Sequence, residues 1–199
     1  MSTNVRRRLS ESERRKEIMD VTAEIIKEKG FFNTTMDEIV SKTTLSKGGV
    51  YHYYKNVLEI FKDLMIYGIE YRNNILKEHM NECYIKGEDS FIAEQLVEKI
   101  VDNNPYMPLY VEFLMVKKRK PELNELMDEL QELTRQSFEK MIVNKPNWLI
   151  DIDKFQLLTD FTNAMIIASD VLEARERFVQ NKQLLKNLVL LILKDGEEK

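Results

Sequence analysis

Leu45-Ser46-Lys47-Gly48-Gly49-Val50-Tyr51-His52-Tyr53-Tyr54-Lys55-Asn56 is the stretch from which the fold can be read. Ser46 places a hydroxyl where a helix N-cap accepts the orphan amide of the third helical residue, Gly49. Val50 and Tyr54 stand four apart, so one side of the short helix that follows is apolar. Upstream, Thr35-x-x-Glu38 has the form of a capping box and opens a short helix with Ile39 and Val40 on its inner face, ended by Thr43-Thr44-Leu45. Further back, Ser10-x-x-Glu13 is a first box, and Ile18, Val21, Ile25 and Ile26 recur at helical spacing until Gly30, which predicts a helix over 11–29. Two short helices joined by a tight turn behind a longer one make the tri-helical helix-turn-helix plan.

Downstream of Asn56 the scale changes. Val57 to about Met80 reads as one long helix, with Phe61, Leu64, Met65, Gly68, Ile69, Ile75 and Leu76 near a single stripe. Gly87-Glu88-Asp89 breaks it, and Asp89 or Ser90 is expected to cap a helix running to about Asn103. Further helices are expected over 107–120, from Pro121 to about Val143, from Asp153 onward, and after Asn181, with Lys145-Pro146-Asn147 as a loop. The expected fold is all-α with about nine helices: a head over 1–56 and a helical body over 57–199.

Composition agrees. The 199 residues carry 43% hydrophobic and 32% charged side chains, enough to bury a core, while six Gly and four Pro are too few for the turns of a β-sandwich or barrel. Cys83 is single, which excludes an intrachain disulfide and a cysteine metal cluster. Arg6, Arg7 and Arg8 are followed by no apolar segment, and the longest apolar run, Leu188 to Leu193, is far short of a membrane span. No secretory leader and no membrane partner are expected, and a reducing cytoplasm is the expected location.

The net charge of −4 hides an asymmetry. Residues 1–56 hold 11 Lys and Arg against 8 Asp and Glu, whereas residues 57–199 hold 19 against 26. A basic head on an acidic body suits a chain whose head meets a polyanion, since phosphate neutralisation dominates nucleic-acid affinity. Lys47, Gly48 and Gly49 at a helix start offer amides and a cation with no bulky side chain in the way. Tyr51 and Tyr53 face away from the Val50/Tyr54 side toward phosphate oxygens or base edges, flanked by His52 and Lys55. Arg6, Arg7 and Arg8 can form an arm for an adjacent minor groove or stay a free basic tail.

Thr35-Met36-Asp37-Glu38-Ile39-Val40 followed by the Leu45–Asn56 string resembles the DNA-binding head of the tetracycline-repressor (TetR) family. The motif-level likeness covers 12–61; helix count and length extend it over the rest, and Glu112-Phe113 through Lys120-Pro121-Glu122-Leu123 is similar to a stretch common in the family's bodies. The resemblance implies a DNA-binding set of Thr35, Ser46, Lys47, Gly48, Gly49, Tyr51, His52, Tyr53 and Lys55, with Tyr51 on backbone phosphate and Tyr53 at the groove. Three departures stand out. Thr43-Thr44 replaces a common Ala-Gly, which predicts a wider or strained turn; Val57 replaces a phosphate-clamping Lys; Gly49 replaces a small hydroxyl residue.

The resemblance also implies a homodimer on a pseudo-palindromic double-stranded DNA operator, since one helix-turn-helix reads few base pairs. The last two long helices would supply the interface through Leu158, Ile166, Leu172, Leu184, Leu188 and Ile192, although core packing could equally claim such residues. An effector cavity for a small apolar or amphipathic molecule would draw on Met65, Ile69, Met107, Tyr110, Phe113, Leu114, Phe138, Met141, Trp148, Phe161 and Met165, which plain core packing would also explain. No cofactor is expected. Enzyme readings lack their motifs: neither His52 nor His79 follows a Glu by three residues, and there is no phosphate-binding Gly-x-x-x-x-Gly-Lys loop and no His-Glu-x-x-His. The remaining rival is a helical adaptor that binds only protein and has lost DNA binding.

Overall fold

The computed structural model of the chain describes residues 10–142 and 144–194, with Tyr84 described by its backbone alone. Arg6, Arg7 and Arg8 lie outside the described residues. Among those described the chain has no strand, and its helices are α1 Glu11–Lys29, α2 Met36–Lys42, α3 Lys47–Tyr53, α4 Val57–Glu78, α5 Met80–Lys86, α6 Glu88–Val101, α7 Met107–Val116, α8 Pro121–Met141, α9 Asn147–Ile150, α10 Ile152–Asp170, α11 Arg175–Gln180 and α12 Lys182–Lys194. No described helix is long and apolar enough to cross a membrane. Two compact units form, Met1–Ile66 and Tyr67–Lys199, with the division inside α4.

In the first unit each helix start is set by a side-chain cap. Ser10 accepts the Glu13 amide while Glu13 accepts the Ser10 amide, a complete capping box. Thr35 accepts the Glu38 amide, but Glu38 does not reach back: its carboxylate is held by Lys29 and Lys42, so the second box is half made. Gly30 ends α1 at φ 80°, a conformation that suits glycine. Ile18, Ile25, Ile39, Val50, Ile60 and Phe61 are fully buried, and the Phe31 and Phe61 rings pack 4.8 Å apart.

The second unit is built around α6, which packs against α5, α10, α11 and α12. Several helix limits differ from expectation for identifiable reasons. The chain turns at His79 and starts α5, a helix absent from the sequence reading. Gly87, at φ 80°, lets α6 begin at Glu88, so neither Asp89 nor Ser90 is the cap; Asp89 instead accepts the Trp148 indole N–H at 3.1 Å. After α7 the backbone tightens into a 3₁₀ turn over Lys117–Arg119, and Pro121 takes the first-turn position expected of it. At the last residue of the expected loop a helical turn begins, Asn147–Ile150, and α10 starts at Ile152 because Asp151 accepts the amides of Asp153 and Lys154. α11 is held by Arg175, which donates to the carbonyls of Val101 and Asp102 and pairs with Asp170.

Candidate nucleic-acid interface

α3 stands on a buried side and presents an exposed one. Val50 is buried, as is Tyr54 just beyond the helix, and the Tyr54 hydroxyl donates to Asp63 at 2.7 Å. Arg15 donates to the same carboxylate at 3.2 Å and lies over the Tyr54 ring, so α1, the end of α3 and α4 are tied at one point. Burial, reinforced by the Asp63 carboxylate, pushes the Tyr54 phenol well above its ordinary range, so it stays protonated. On the opposite side Lys47, Gly48, Tyr51, His52 and Lys55 are exposed, and Gly49 and Tyr53 are half-buried. The His52 and Tyr53 rings meet edge to face at 5.0 Å.

The caps perform as expected at the start of α3, where Ser46 Oγ accepts the Gly49 amide at 3.2 Å. A Cβ added at Gly48 would meet nothing within 4 Å, whereas one at Gly49 would lie 3.3 Å from Leu45 Cδ2. Internal packing therefore accounts for glycine at 49 and leaves 48 unexplained from within the chain. Lys47 pairs with Asp37 at 2.9 Å, a hydrogen bond that raises its pKa, and lies 5.9 Å from the Tyr51 ring. Thr35 is exposed at the N-cap of α2.

The turn between α2 and α3 corrects one expectation. Thr43 is extended at φ −91° and ψ 162°, and no residue of the turn has positive φ. The Thr44 amide donates to Glu17 on α1 at 2.6 Å, and Arg14 donates to the Thr44 hydroxyl at 3.3 Å. Two threonines replace a glycine without strain because the turn is hydrogen-bonded to the helix behind it. Val57 offers no phosphate clamp; α4 begins with Asn56 accepting the Glu59 amide, while Glu59 accepts the Lys55 amide and fixes the exposed Lys55 beside α3. The Asn56-x-x-Glu59 pattern is a capping signal that sequence reading passed over.

The body residues separate by burial. Met107, Phe138 and Trp148 sit in one core cluster, with Tyr110, Met141, Phe161 and Met165 packed against it; Phe138 and Trp148 meet edge to face at 5.9 Å. Phe113 and Leu114 are buried, Ile69 is half-buried, and Met65 is buried on the part of α4 that belongs to the first unit. Leu158 and Ile166 correct the interface expectation: both belong to the core of the unit itself, 4% and 1% exposed, and offer no surface to a second copy. Leu172, Leu184 and Leu188 are exposed, with Ile192 half-buried.

Sequence reading missed a polar group inside this unit. Gln95 and Lys99 stand four apart on α6 among Ile92, Leu96 and Ile100, and a cation on an apolar stripe was the available signal. Arg72 donates to Gln95, Lys99 lies 5.3 Å from the centre of the Tyr110 ring, and the Tyr110 hydroxyl donates to Asn163 at 2.9 Å.

This geometry, a capped short helix with its apolar side buried and a basic, tyrosine-bearing side exposed, defines a helix-turn-helix transcriptional regulator. Residues 18–64 match the family model described as "Bacterial regulatory proteins, tetR family". The chain is 24% identical over 169 residues to the uncharacterized HTH-type transcriptional regulator YfiR of Bacillus subtilis, covering 84% of this chain and 79% of that protein. It is 26% identical over 169 residues to IcaR of Staphylococcus epidermidis, named as the negative transcriptional regulator of the biofilm operon icaADBC, covering 82% of this chain and 84% of that one. Among solved structures, GusR of Salmonella enterica superposes with a TM-score of 0.72 at 17% identity, covering 94% of this chain and 98% of its own. The chain thus carries a head that matches the TetR family over residues 18–64 and is similar over most of its length to HTH-type transcriptional regulators.

Proposed function

We propose that the chain is a homodimeric repressor that binds a pseudo-palindromic operator and is released by a small apolar or amphipathic effector held in the second unit. The observation that carries the DNA-binding part is the exposed side of α3, where Lys47, Gly48, Tyr51, His52 and Lys55 stand together on a helix fixed from behind by Val50 and Tyr54. Thr35, Ser46, Gly49 and Tyr53 complete the site: Thr35 and Ser46 cap the two helices, and Tyr53 reaches toward the groove. Repression as the sign of regulation is supported by the name of the Staphylococcus epidermidis relative.

Dimerisation is supported by Leu172, Leu184, Leu188 and Leu191, which leave apolar surface uncovered near the end of α10 and along α12. Effector and operator are linked reciprocally: a ligand that favours one arrangement of the paired heads must bind less tightly when DNA holds the other. The protein acts as a regulator without catalysis, in the cytoplasm where its DNA lies.

The test is selection of bound fragments from random and genomic DNA, followed by anisotropy titration with the native chain and a Lys47→Ala/Tyr51→Ala variant at stated salt. A two-fold symmetric site, bound with an affinity that falls steeply with salt and is lost in the variant, is expected. Absence of any enriched site, or binding indifferent to both side chains, would leave the protein-binding adaptor in its place.

A further inference from the structure

Four helices of the second unit bring polar groups to one place in its interior. α4 supplies Arg72, α6 supplies Gln95 and Lys99, α7 supplies Tyr110 and α10 supplies Asn163. Arg72 donates to the backbone and side-chain oxygens of Gln95, and burial, with the Arg72 charge added to it, lowers the pKa of Lys99, a second cation close by. Among the described residues no carboxylate pairs with Lys99. Its chain neighbour Glu98 is held by Lys182 at 2.7 Å, Asp102 accepts from Asn104, and Glu94 is held by Lys86 and Lys186. Asp102 and Glu98 offset part of the Arg72 charge, whereas burial and the Arg72 charge both act against the charged form of Lys99.

A half-buried ammonium without a counter-charge is costly, and proteins pair such groups or give them a ligand. Asn163 accepts from Tyr110, and its amide N–H₂ has no partner among the described residues. Among the described residues the fully enclosed side-chain polar atoms without a hydrogen-bond partner are Lys154 Nζ and Ser169 Oγ; Lys99 Nζ, which has only the Tyr110 ring against it, and Asn163 Nδ2 are not among these sealed atoms. The Phe113 ring lies beside Tyr110, with ring centres 6.1 Å apart.

We propose that the ligand of the second unit is an anionic amphiphile, a carboxylate on an apolar tail, whose carboxylate ion-pairs with Lys99 and accepts from the Asn163 amide while Arg72 adds positive field. This deepens the effector reading and rests on it for the consequence at DNA, not for the binding itself. A neutral or cationic molecule of the same tail would leave Lys99 uncompensated.

The test titrates octanoate, decanoate and dodecanoate, with the alcohol and amine of each length, into the full chain by calorimetry and by emission of Trp148, the chain's one tryptophan. The carboxylates are expected to bind at least about tenfold more tightly than the alcohols, with the amines weakest. Lys99→Met should erase the preference for carboxylate over alcohol, and Lys99→Arg should keep it; thermal melts establish that each variant folds. Equal affinity of acid and alcohol, no binding by any of the three acids, or a preference that survives in folded Lys99→Met overturns the proposal. Should Lys99→Met not fold, the acid-to-alcohol ratio of the native chain decides alone. Parallel operator titrations separate the two readings. Lys99-dependent carboxylate binding with unchanged operator affinity sinks the sensor reading and leaves the anion site standing, whereas operator release by acids and alcohols alike does the reverse.

Discussion

Glu17 on α1 accepts the Thr44 amide at 2.6 Å, joining the middle of the first helix to the turn that aims α3. Burial pushes the Glu17 carboxyl up, but hydrogen bonds from the Thr44 side chain and backbone, with Arg14, outweigh it and hold the pKa below the ordinary value of 4.5. The contact therefore contributes fully above pH 4.5 and is lost as pH falls through the lower value in the folded state. Glu17→Ala is expected to cost about 1–2 kcal/mol in urea unfolding at neutral pH. It should also weaken operator binding by more than its effect on stability explains, because the turn loses its anchor. Glu17→Gln should keep an acceptor for Thr44 and lose the acid dependence. Unchanged stability in Glu17→Ala would mean that the Thr43-Thr44 turn holds its own shape.

Asp37 occupies Lys47 in the free chain, and a phosphate would have to take its place. Both side chains are well exposed, so the pair itself adds little stability. Its effect should appear in DNA binding, where Asp37 both competes for the ammonium and repels phosphate. Asp37→Asn is expected to tighten operator binding by roughly two- to fivefold at low salt, the range of an exposed ion pair, with little change in melting temperature. Weaker binding would show instead that Asp37 positions Lys47 for its contact.

Gly48 and Gly49 look alike in sequence and differ in structure. A methyl at 49 presses on Leu45 and Ser46, whereas at 48 it enters open space. Gly48→Ala should leave the free chain as stable or up to about 1 kcal/mol more stable, since alanine suits a helix better than glycine. Operator affinity should nevertheless fall, by about tenfold or more, if the backbone approaches DNA closely there. Gly49→Ala should lose stability in the free chain. A Gly48→Ala variant that binds the operator like the native chain would remove close approach as the reason for that glycine.

The head was legible because its signals are local: Ser10, Thr35 and Ser46 each cap a helix within three residues, and Val50 and Tyr54 give the buried side of α3. What failed there depended on distance in the chain. Glu38 leaves its box for Lys29, nine residues away, and Thr44 is supported by Glu17, 27 residues away. In the body the same limit applies more strongly. Asp89 reads as a cap until Trp148, 59 residues on, claims its carboxylate. Leu158 and Leu172 look equally fit for an interface, yet only their neighbours in space make one core and leave the other exposed. Lys99 was visible as a cation on an apolar stripe, but Arg72 and Tyr110 give it meaning, and neither is near it in sequence.

Lys99 also sets a pH signature for the free chain. Desolvation, with the adjacent Arg72 charge, pulls its pKa from 10.5 to about 8. Tyr110, the titratable group facing it, moves upward from 10 through burial and stays neutral. The unfolded state therefore binds the additional proton between about pH 8 and pH 10.5, and stability must rise with pH across that window. Below about pH 8 the charged group imposes its full penalty, at most about 3 kcal/mol and less where solvent reaches the ammonium. Lys99→Met, which keeps the length of the side chain and removes the charge, is expected to stabilise the unliganded protein by about 1–2 kcal/mol at pH 7 and to flatten the rise between pH 8 and 10.5. Urea titrations at several pH values read both effects. Loss of stability in Lys99→Met at pH 7 would mean that the ammonium is satisfied in the free chain, by ordered water in contact with Tyr110 and Asn163, and that its charge is not held at a cost.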